Sequence, residues 1–531
     1  MKRELIFMKM SLASLVLLPL VFAPSVRSAE SGGDPFYNVR AFGATGDGKT
    51  LDSPAINRAI ATCAGAGGGT VVLPAGTYLS GSIRLQNNIH LLIDAGATLL
   101  GAPQDMNAYD QEEPFTGPAY QDGGHTFFHN SLIWGENLTN VSITGQGTID
   151  GGGLSTGDGN EDRVDGFSTF GRGAPPPPST TSAGARLGNK AIALKLCRNV
   201  LLRDFTIMHG GHFAIITTGC DDMTVDNVTI DTDRDGMDID CCRNTMISNC
   251  RVNSPRDDGI CPKSSFALGR NVITENLTIV NCQVSGFREG TLVDGTMQGG
   301  GGTGRIKFGT EANGGFRNVT VANCTFRACH GLALEEVDGG ILENIAINNI
   351  TMMDVAGYPI YITTGKRNRG PNVTQPSRAR NIFISNIIAT GIDRASGIQI
   401  AGLPEQPIEG VRLENIRLQF KGGGTQADAA LTPPELGIGY PEPRGIMPAY
   451  GLFARHVRGL ELANITLGFD AEDLRPALAG ADLDGVEIDN LKAQLAPGVA
   501  PARWDNVKGL TVRNSPAISG APGGTPIRRE F

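Results

Sequence analysis

Tryptophan occurs only twice in 531 residues, and apolar residues seldom recur at the spacing of one helix face. With glycine abundant at 72, that leaves little material for a helical bundle and suits many short strands joined by turns. Net positive charge is also lacking. At −9 the chain offers no general surface for nucleic acid, and at long range it repels a polyanionic polymer, so an acidic ligand needs local cations. Long apolar runs are scarce. Residues 12–23 form one, behind Lys2, Arg3 and Lys9, and it is short for a membrane span. It reads as the core of a secretory signal peptide over residues 1–29, cut after Ser28 or Ala29. The expected location is secreted or periplasmic, with no membrane attachment after cleavage.

What the chain does contain is a short phrase repeated eleven times between Asn199 and Asn514. The copies start at Asn199, Asp222, Asn244, Asn276, Asn318, Asn344, Asn381, Gly410, Gly459, Gly485 and Gly509. Five residues on stand Asp204 and then ten asparagines, from Asn227 to Asn514. Three residues after each start every copy is aliphatic, as at Leu202, Val225 and Ile247. A unit that cannot bury its own apolar face must stack on its neighbours, which makes the chain a solenoid. Alternating apolar positions predict a strand, and the apolar position just after the asparagine breaks its parity. The chain must therefore bend at an asparagine, a residue that tolerates left-handed backbone and can bond to its counterparts above and below. The shortest spacings, 22 to 26 residues, are too small for a coil containing a helix. The fold class expected is all-β, a parallel β-helix.

An amphipathic helix is predicted near the start. Ser53-Pro54 reads as its cap and first residue, Ile56, Ala59, Ile60 and Cys63 share a face, and Gly65 lies past its end. It would lid the open end of the solenoid. Short strands are expected around residues 71–73, 83–85, 90–93 and 141–143. Long gaps mark loops at 151–188, which includes four prolines at 175–178, and at 291–303, 366–379 and 421–450. Of ten cysteines, Cys250, Cys282 and Cys324 share one repeat position, and Cys197, Cys220 and Cys242 another. They read as small buried apolar residues, with one or two bridges between stacked coils left open. Asn276-Leu-Thr278 and Asn318-Val-Thr320 match glycosylation acceptors but are repeat starts, and they read as structural.

The repeat serves as a ruler. Asp235 and Asp257 each stand thirteen residues after their starts, and Asp258 follows. Equivalent positions on neighbouring coils lie about 4.8 Å apart. Three carboxylates so close cannot all ionise cheaply, so one should keep its proton above the usual range. A protonated acid beside ionised partners is what hydrolysis of a glycosidic bond requires. The alternatives are turn aspartates or a calcium site. Asp231, Asp233, Asp238 and Asp240 read as turn residues or as supports. His212 and His330 extend the same column and are candidate substrate contacts. Between Arg243 and Lys307 eight basic residues stand against five acidic ones, a local balance of +3 that suits a uronate carboxylate.

On these residues the chain resembles the polygalacturonases, glycoside hydrolase family 28. Asp233-Arg234-Asp235-Gly236 is similar to the family's Asn-Thr-Asp-Gly motif, and Asp257-Asp258 matches its Asp-Asp. The segment from Gly46 to Ile83 and the coils through about Tyr361 also look like bacterial members. The resemblance implies a right-handed β-helix and inverting cleavage of pectin without a cofactor or metal. Asp257 would be the general acid, with Asp235 and Asp258 holding and activating water. The implied organisation is a pectate-lyase-like cap and first coils over 35–125, then a catalytic β-helix over 126–525. Two motifs depart. The family's Gly-His-Gly is missing after Asp-Asp, where either Arg288-Glu289-Gly290 or Gly304-Arg305 is its counterpart. Arg305-Ile306-Lys307 looks like the substrate-clamping Arg-Ile-Lys but lies one coil early, before Asn318; the expected place is near Ala333-Leu334-Glu335. Arg288, Glu289, Arg305 and Lys307 are thus candidate substrate-binding residues, the last two from the cleft's edge. The resemblance also makes Tyr358, fourteen residues after its repeat start, the counterpart of the family's substrate-binding tyrosine on the following coil.

The function expected is an exported hydrolase of α-galacturonosyl linkages in pectic polysaccharides or oligosaccharides, working as a monomer. The departures make exo action or a rhamnogalacturonan substrate an option. Two rivals stand beside it: a calcium-dependent pectate-lyase-like enzyme, and a non-catalytic β-helix acting as an adhesin or carbohydrate-binding surface.

Overall fold

The computed structural model describes residues 36–114, 123–156, 188–371, 373–395, 397–435 and 446–519. The expected signal peptide and the proline run lie outside them. From Phe36 onward the chain winds as a right-handed parallel β-helix. Among the described residues its strands form one sheet of 29 strands and another of six. A representative coil runs Arg243–Ser248, bends at Asn249, continues as Arg251–Asn253, turns, and ends in Ile260–Lys263. The first two strands pair in parallel with the matching strands of the next coil, Ile247 with Ile279 and Val252 with Val284, and the third meets it through a single parallel bridge from Ile260 to Ile306. The inward side chains make one continuous apolar core from Val39 to Leu491.

The bend expected at the asparagine is present, and a second accompanies it. Both repeat columns are left-handed: φ is 53° at Asn244 and 57° at Asn249, and 58° and 56° at Asn344 and Asn349. The amides stack into two ladders. Asn344 donates to Asn318 at 3.0 Å and Asn381 to Asn344 at 2.7 Å. In the other column Asn349 donates to Asn323 and accepts from Asn386, both at 3.1 Å. The first ladder reaches further back than the spacing reveals, because Asn199 donates to Asn140 and Asn140 to Asn88. The insertion at 151–188 hides that continuation from a periodicity search.

Asn349→Ala should cost about 2 kcal/mol, from a strained left-handed Cβ and two lost amide bonds. Asn349→Gly, which relieves the strain and loses only the bonds, should cost about half as much. Urea unfolding midpoints of the two variants against the parent check this.

The predicted helix spans Ser53–Gly65 and buries Ala55, Ile56, Ala59, Ile60 and Cys63 in the same core. Asp52, not Ser53, precedes it as the cap residue, but its carboxylate is engaged elsewhere, accepting from the Thr45 and Gly46 N–H groups. Gly65 is the last helical residue rather than the first beyond it. All ten cysteines are buried and free, so neither column forms a bridge. No helix among the described residues is long and apolar enough to cross a membrane.

Candidate active site

The third strand of each coil builds the site. Asp235 opens Asp235–Asp240, and Asp257 and Asp258 lie in the turn before Ile260–Lys263. Met237 pairs with Ile260, so two residues back Asp235 is level with Asp258 rather than with Asp257. The ruler is one residue out for a physical reason. Asp231 pairs with Asn253, an offset of 22, whereas Met237 with Ile260 is an offset of 23. The turn that carries Asp257 therefore holds one extra residue. Asp257 is pushed outward, its side chain 30% exposed, while Asp235 and Asp258 are buried. Gly236 permits the close approach behind them, since a Cβ there would meet the Gly259 carbonyl oxygen at 2.4 Å. One oxygen from each of the three carboxylates lies within 4.8 Å of the others.

Asp258 is held at both oxygens. Arg305 Nε reaches Oδ1 at 2.9 Å and Lys307 Nζ reaches Oδ2 at 3.1 Å. Arg305 also bonds the Tyr358 hydroxyl, approaches His330 Nδ1 at 3.4 Å, and faces Glu335 at 3.8 Å. Five expected residues thus converge: Asp258, Arg305, Lys307, His330 and Tyr358. Arg305 and Lys307 are not at the cleft's edge, however. Both are buried, because a buried carboxylate needs its counter-charges at hand. Ile306 bridges to Ile260, which places Gly304-Arg305 on the coil after Asp257-Asp258. Lys307 pairs with Ala333, so Arg-Ile-Lys does lie one coil before Ala333-Leu334-Glu335.

The other candidates lie apart from that knot. Arg288 and Glu289 belong to a loop pinned by Asp231, which accepts from the N–H groups of Gly290, Leu292 and Val293. Glu289 faces His209, Asp233 and Asp231, and burial raises its pKa. His212 is buried beside Phe213, the residue that pairs with Asp235, and so is level with Arg234.

Charge separates the three aspartates. Burial works against ionised Asp258, yet Lys307 and Arg305 hold its pKa well below the usual range. Burial, then Asp257 and Asp238, push Asp235 well above it. Burial and the neighbouring Asp258 also raise Asp257, against the opposing pull of Arg234 at 3.0 Å. The site therefore has one carboxylate held ionised and two whose pKa values are raised, and the more exposed of those two is Asp257.

Sequence reasoning missed the layer beneath. Lys263 is buried between Asp238 at 3.4 Å and Glu311 at 3.0 Å. His125 faces Asp238 from the other side at 3.7 Å, and Arg367 joins Glu311 to Asp338. Burial raises Asp238 to about 7, against the pull of Lys263. Asp238 and Asp240 are strand residues, not turn residues. Asp240 accepts from Ser265 N at 2.7 Å and from its hydroxyl at 2.6 Å. An isolated Lys among short strands is the one available signal, and in the sequence it counts only toward a charge balance. A metal fits poorly at the three aspartates, because both Asp258 oxygens already face protein cations.

Comparison with known proteins agrees with this architecture. A family described as "Rhamnogalacturonase A/epimerase, pectate lyase-like" matches residues 36–288. A protein named "Probable polygalacturonase" from Vitis vinifera is 24% identical over 403 residues, 71% of this chain and 73% of its own. An exopolygalacturonase of Platanus acerifolia is 25% identical over 422 residues, 76% of this chain and 94% of its own. In fold, the family 28 exopolygalacturonase of Yersinia enterocolitica superposes with a TM-score of 0.56 at 19% identity, covering 92% of this chain and 79% of that one. Over most of its length, on coils that bring Asp235, Asp257 and Asp258 together, this chain is similar to polygalacturonases, which marks it as a polygalacturonase-like glycoside hydrolase.

Proposed function

We propose that the protein hydrolyses α-galacturonosyl linkages in pectic polymers, by inversion and from a chain end. The observation that carries the reading is the division of labour among the aspartates. Asp257, at the cleft surface with a raised pKa, donates a proton to the leaving oxygen. Ionised Asp258 with Asp235 orients a water, whose oxygen bonds to the anomeric carbon as the glycosidic bond breaks. The water's proton passes to the carboxylate pair. Catalysis belongs to residues 126–525, and residues 35–125 serve as cap and first coils. Export directed by residues 1–29 takes a monomer to its polymer.

The close spacing of the carboxylates would by itself suit a retaining pair, with one of them as nucleophile. Asp258 is the one held ionised, but Arg305 and Lys307 occupy both of its oxygens and blunt it. Water is the better nucleophile there. Proton NMR of early products from polygalacturonate should show the β-anomer first and one uronate released per event. An α-anomer first would replace inversion by a covalent route. Products absorbing near 232 nm and lost with chelator would replace hydrolysis by lyase chemistry, and no activity on any pectic substrate would leave a binding protein.

A further inference from the structure

Arg234 stands where the family motif carries an uncharged residue, and it meets the acid directly. Its guanidinium is 3.0 Å from Asp257, with 16% of its side chain exposed against 30% for Asp257. The pair is built rather than incidental. Ser254 Oγ lies 2.5 Å from the Arg234 carbonyl oxygen and 2.9 Å from that of Asp257, so one hydroxyl ties the two backbones together. Asp233, next in the chain, lies 3.0 Å from Arg256. A guanidinium on the acid favours its ionised form, which cannot donate a proton. Meanwhile Arg305 and Lys307, the cations of the motif that would clamp a uronate, are buried on Asp258.

We propose that Arg234 is the specificity-determining residue of this site: it leaves Asp257 to pair with the carboxylate of a hexuronate in the cleft, and Asp257 takes up a proton as it does so. The inference rests on the function proposed above and deepens it. The incoming carboxylate offers Arg234 a bidentate partner in exchange for Asp257. The proton comes from solvent and is the one later delivered to the leaving oxygen, so the cycle balances. Asp257 is then left facing Asp258 from its own turn, Asp235 from the preceding coil, and Lys263 and Lys307 from beyond. A neutral sugar gives Arg234 nothing to exchange, and the acid stays ionised. Uronate recognition and acid activation are one event.

Two measurements test it. Calorimetry with galacturonate in buffers of different ionisation enthalpy should show proton uptake on binding, absent with its methyl ester and absent in Arg234→Gln. That variant should bind galacturonate at least about tenfold more weakly, as expected for loss of a charge-assisted pair. In pH profiles the basic limb of kcat, reporting the bound enzyme, should lie about one pH unit or more above that of kcat/KM. In Arg234→Gln the two limbs should coincide, and in Arg234→Lys the separation should persist. Equal proton uptake with the ester, or limbs in Arg234→Gln still apart, would overturn the proposal. A residue that merely braced the fold would move both limbs together. Calorimetry needs no turnover, so failure of hydrolysis on polygalacturonate would sink the functional reading without deciding this one.

Discussion

Asp257→Asn should lower kcat on polygalacturonate by about a thousandfold, the usual contribution of a positioned general acid, and leave the urea midpoint nearly unchanged. The side chain is partly exposed, the amide is isosteric, and only Arg234 loses a charged partner. Asp258→Asn, one residue on, should behave differently. It removes the carboxylate shared by Arg305 and Lys307, both buried, and leaves two cations with too little counter-charge. Such a change costs about 3–5 kcal/mol, so activity and stability should fall together. Reducing-end release beside urea unfolding separates the two cases. Equal stability losses at the two positions would mean that the extra residue in the turn has not given them different surroundings.

The second large effect is expected at Lys263→Met. Methionine fills the space but takes the ammonium from Asp238 and leaves Glu311 to Arg367 and Arg369 alone. The loss should be about 3–5 kcal/mol near pH 8 and should shrink as the pH falls. The sign follows from the groups involved. In the parent, Lys263 is raised well above its usual value: burial opposes this, but Asp238 and Glu311 outweigh it. Its contribution is therefore complete below about pH 10.5, the unfolded value, and is lost only as the pH rises through the folded one. Glu311 is lowered well below its usual value by Lys263 and Arg367 against burial, so its contribution is present above about pH 4.5 and lost on acidification. Burial already raises Asp238 to about 7 against the pull of Lys263, so without that ammonium Asp238 titrates higher still in the folded state, while Glu311 keeps Arg367 and Arg369. The folded variant then binds more protons and gains relative stability toward acid. Thermal unfolding of parent and variant at pH 5 and pH 8 measures this, and a deficit that widened toward acid would contradict the network.

The repeat made the scaffold readable because each coil must satisfy the same two left-handed bends, and few residues do so without strain. It also brought Asp235 beside Asp257 and Asp258 to within one residue. The remaining error was unavoidable by counting, since offsets are measured between repeat starts and a longer turn later in the coil leaves them unchanged. The placing of Arg305-Ile306-Lys307 one coil early was legible from Asn318. Its burial was not, because that depends on which carboxylate it faces. Lys263, Glu311 and His125 were harder still. They come from three segments, and His125 precedes the first counted repeat. Charge pairs that close only in three dimensions leave no period in the chain.

The first asparagine column does not run the whole length. After Asn381 it becomes Gly410, Gly459, Gly485 and Gly509, which keep the left-handed φ at 61° to 71° but have no amide to offer. The glycines stack closely enough that a Cβ on Gly459 would lie 3.7 Å from the Gly410 nitrogen. The second column continues, with Asn464 bonded to Asn415 and Asn490 to Asn464. Since each coil is secured only by its neighbours, the ends of the rod differ in mechanical strength. A load on the last coils meets one row of stacked asparagines and the bonds that join His456 and Asn506 to Asp482, whereas one reaching the coils around Asn344 has to break both asparagine rows. The catalytic coils sit on the doubly laced side, so the chain can peel from its C-terminal end before the geometry around Asp257 is disturbed.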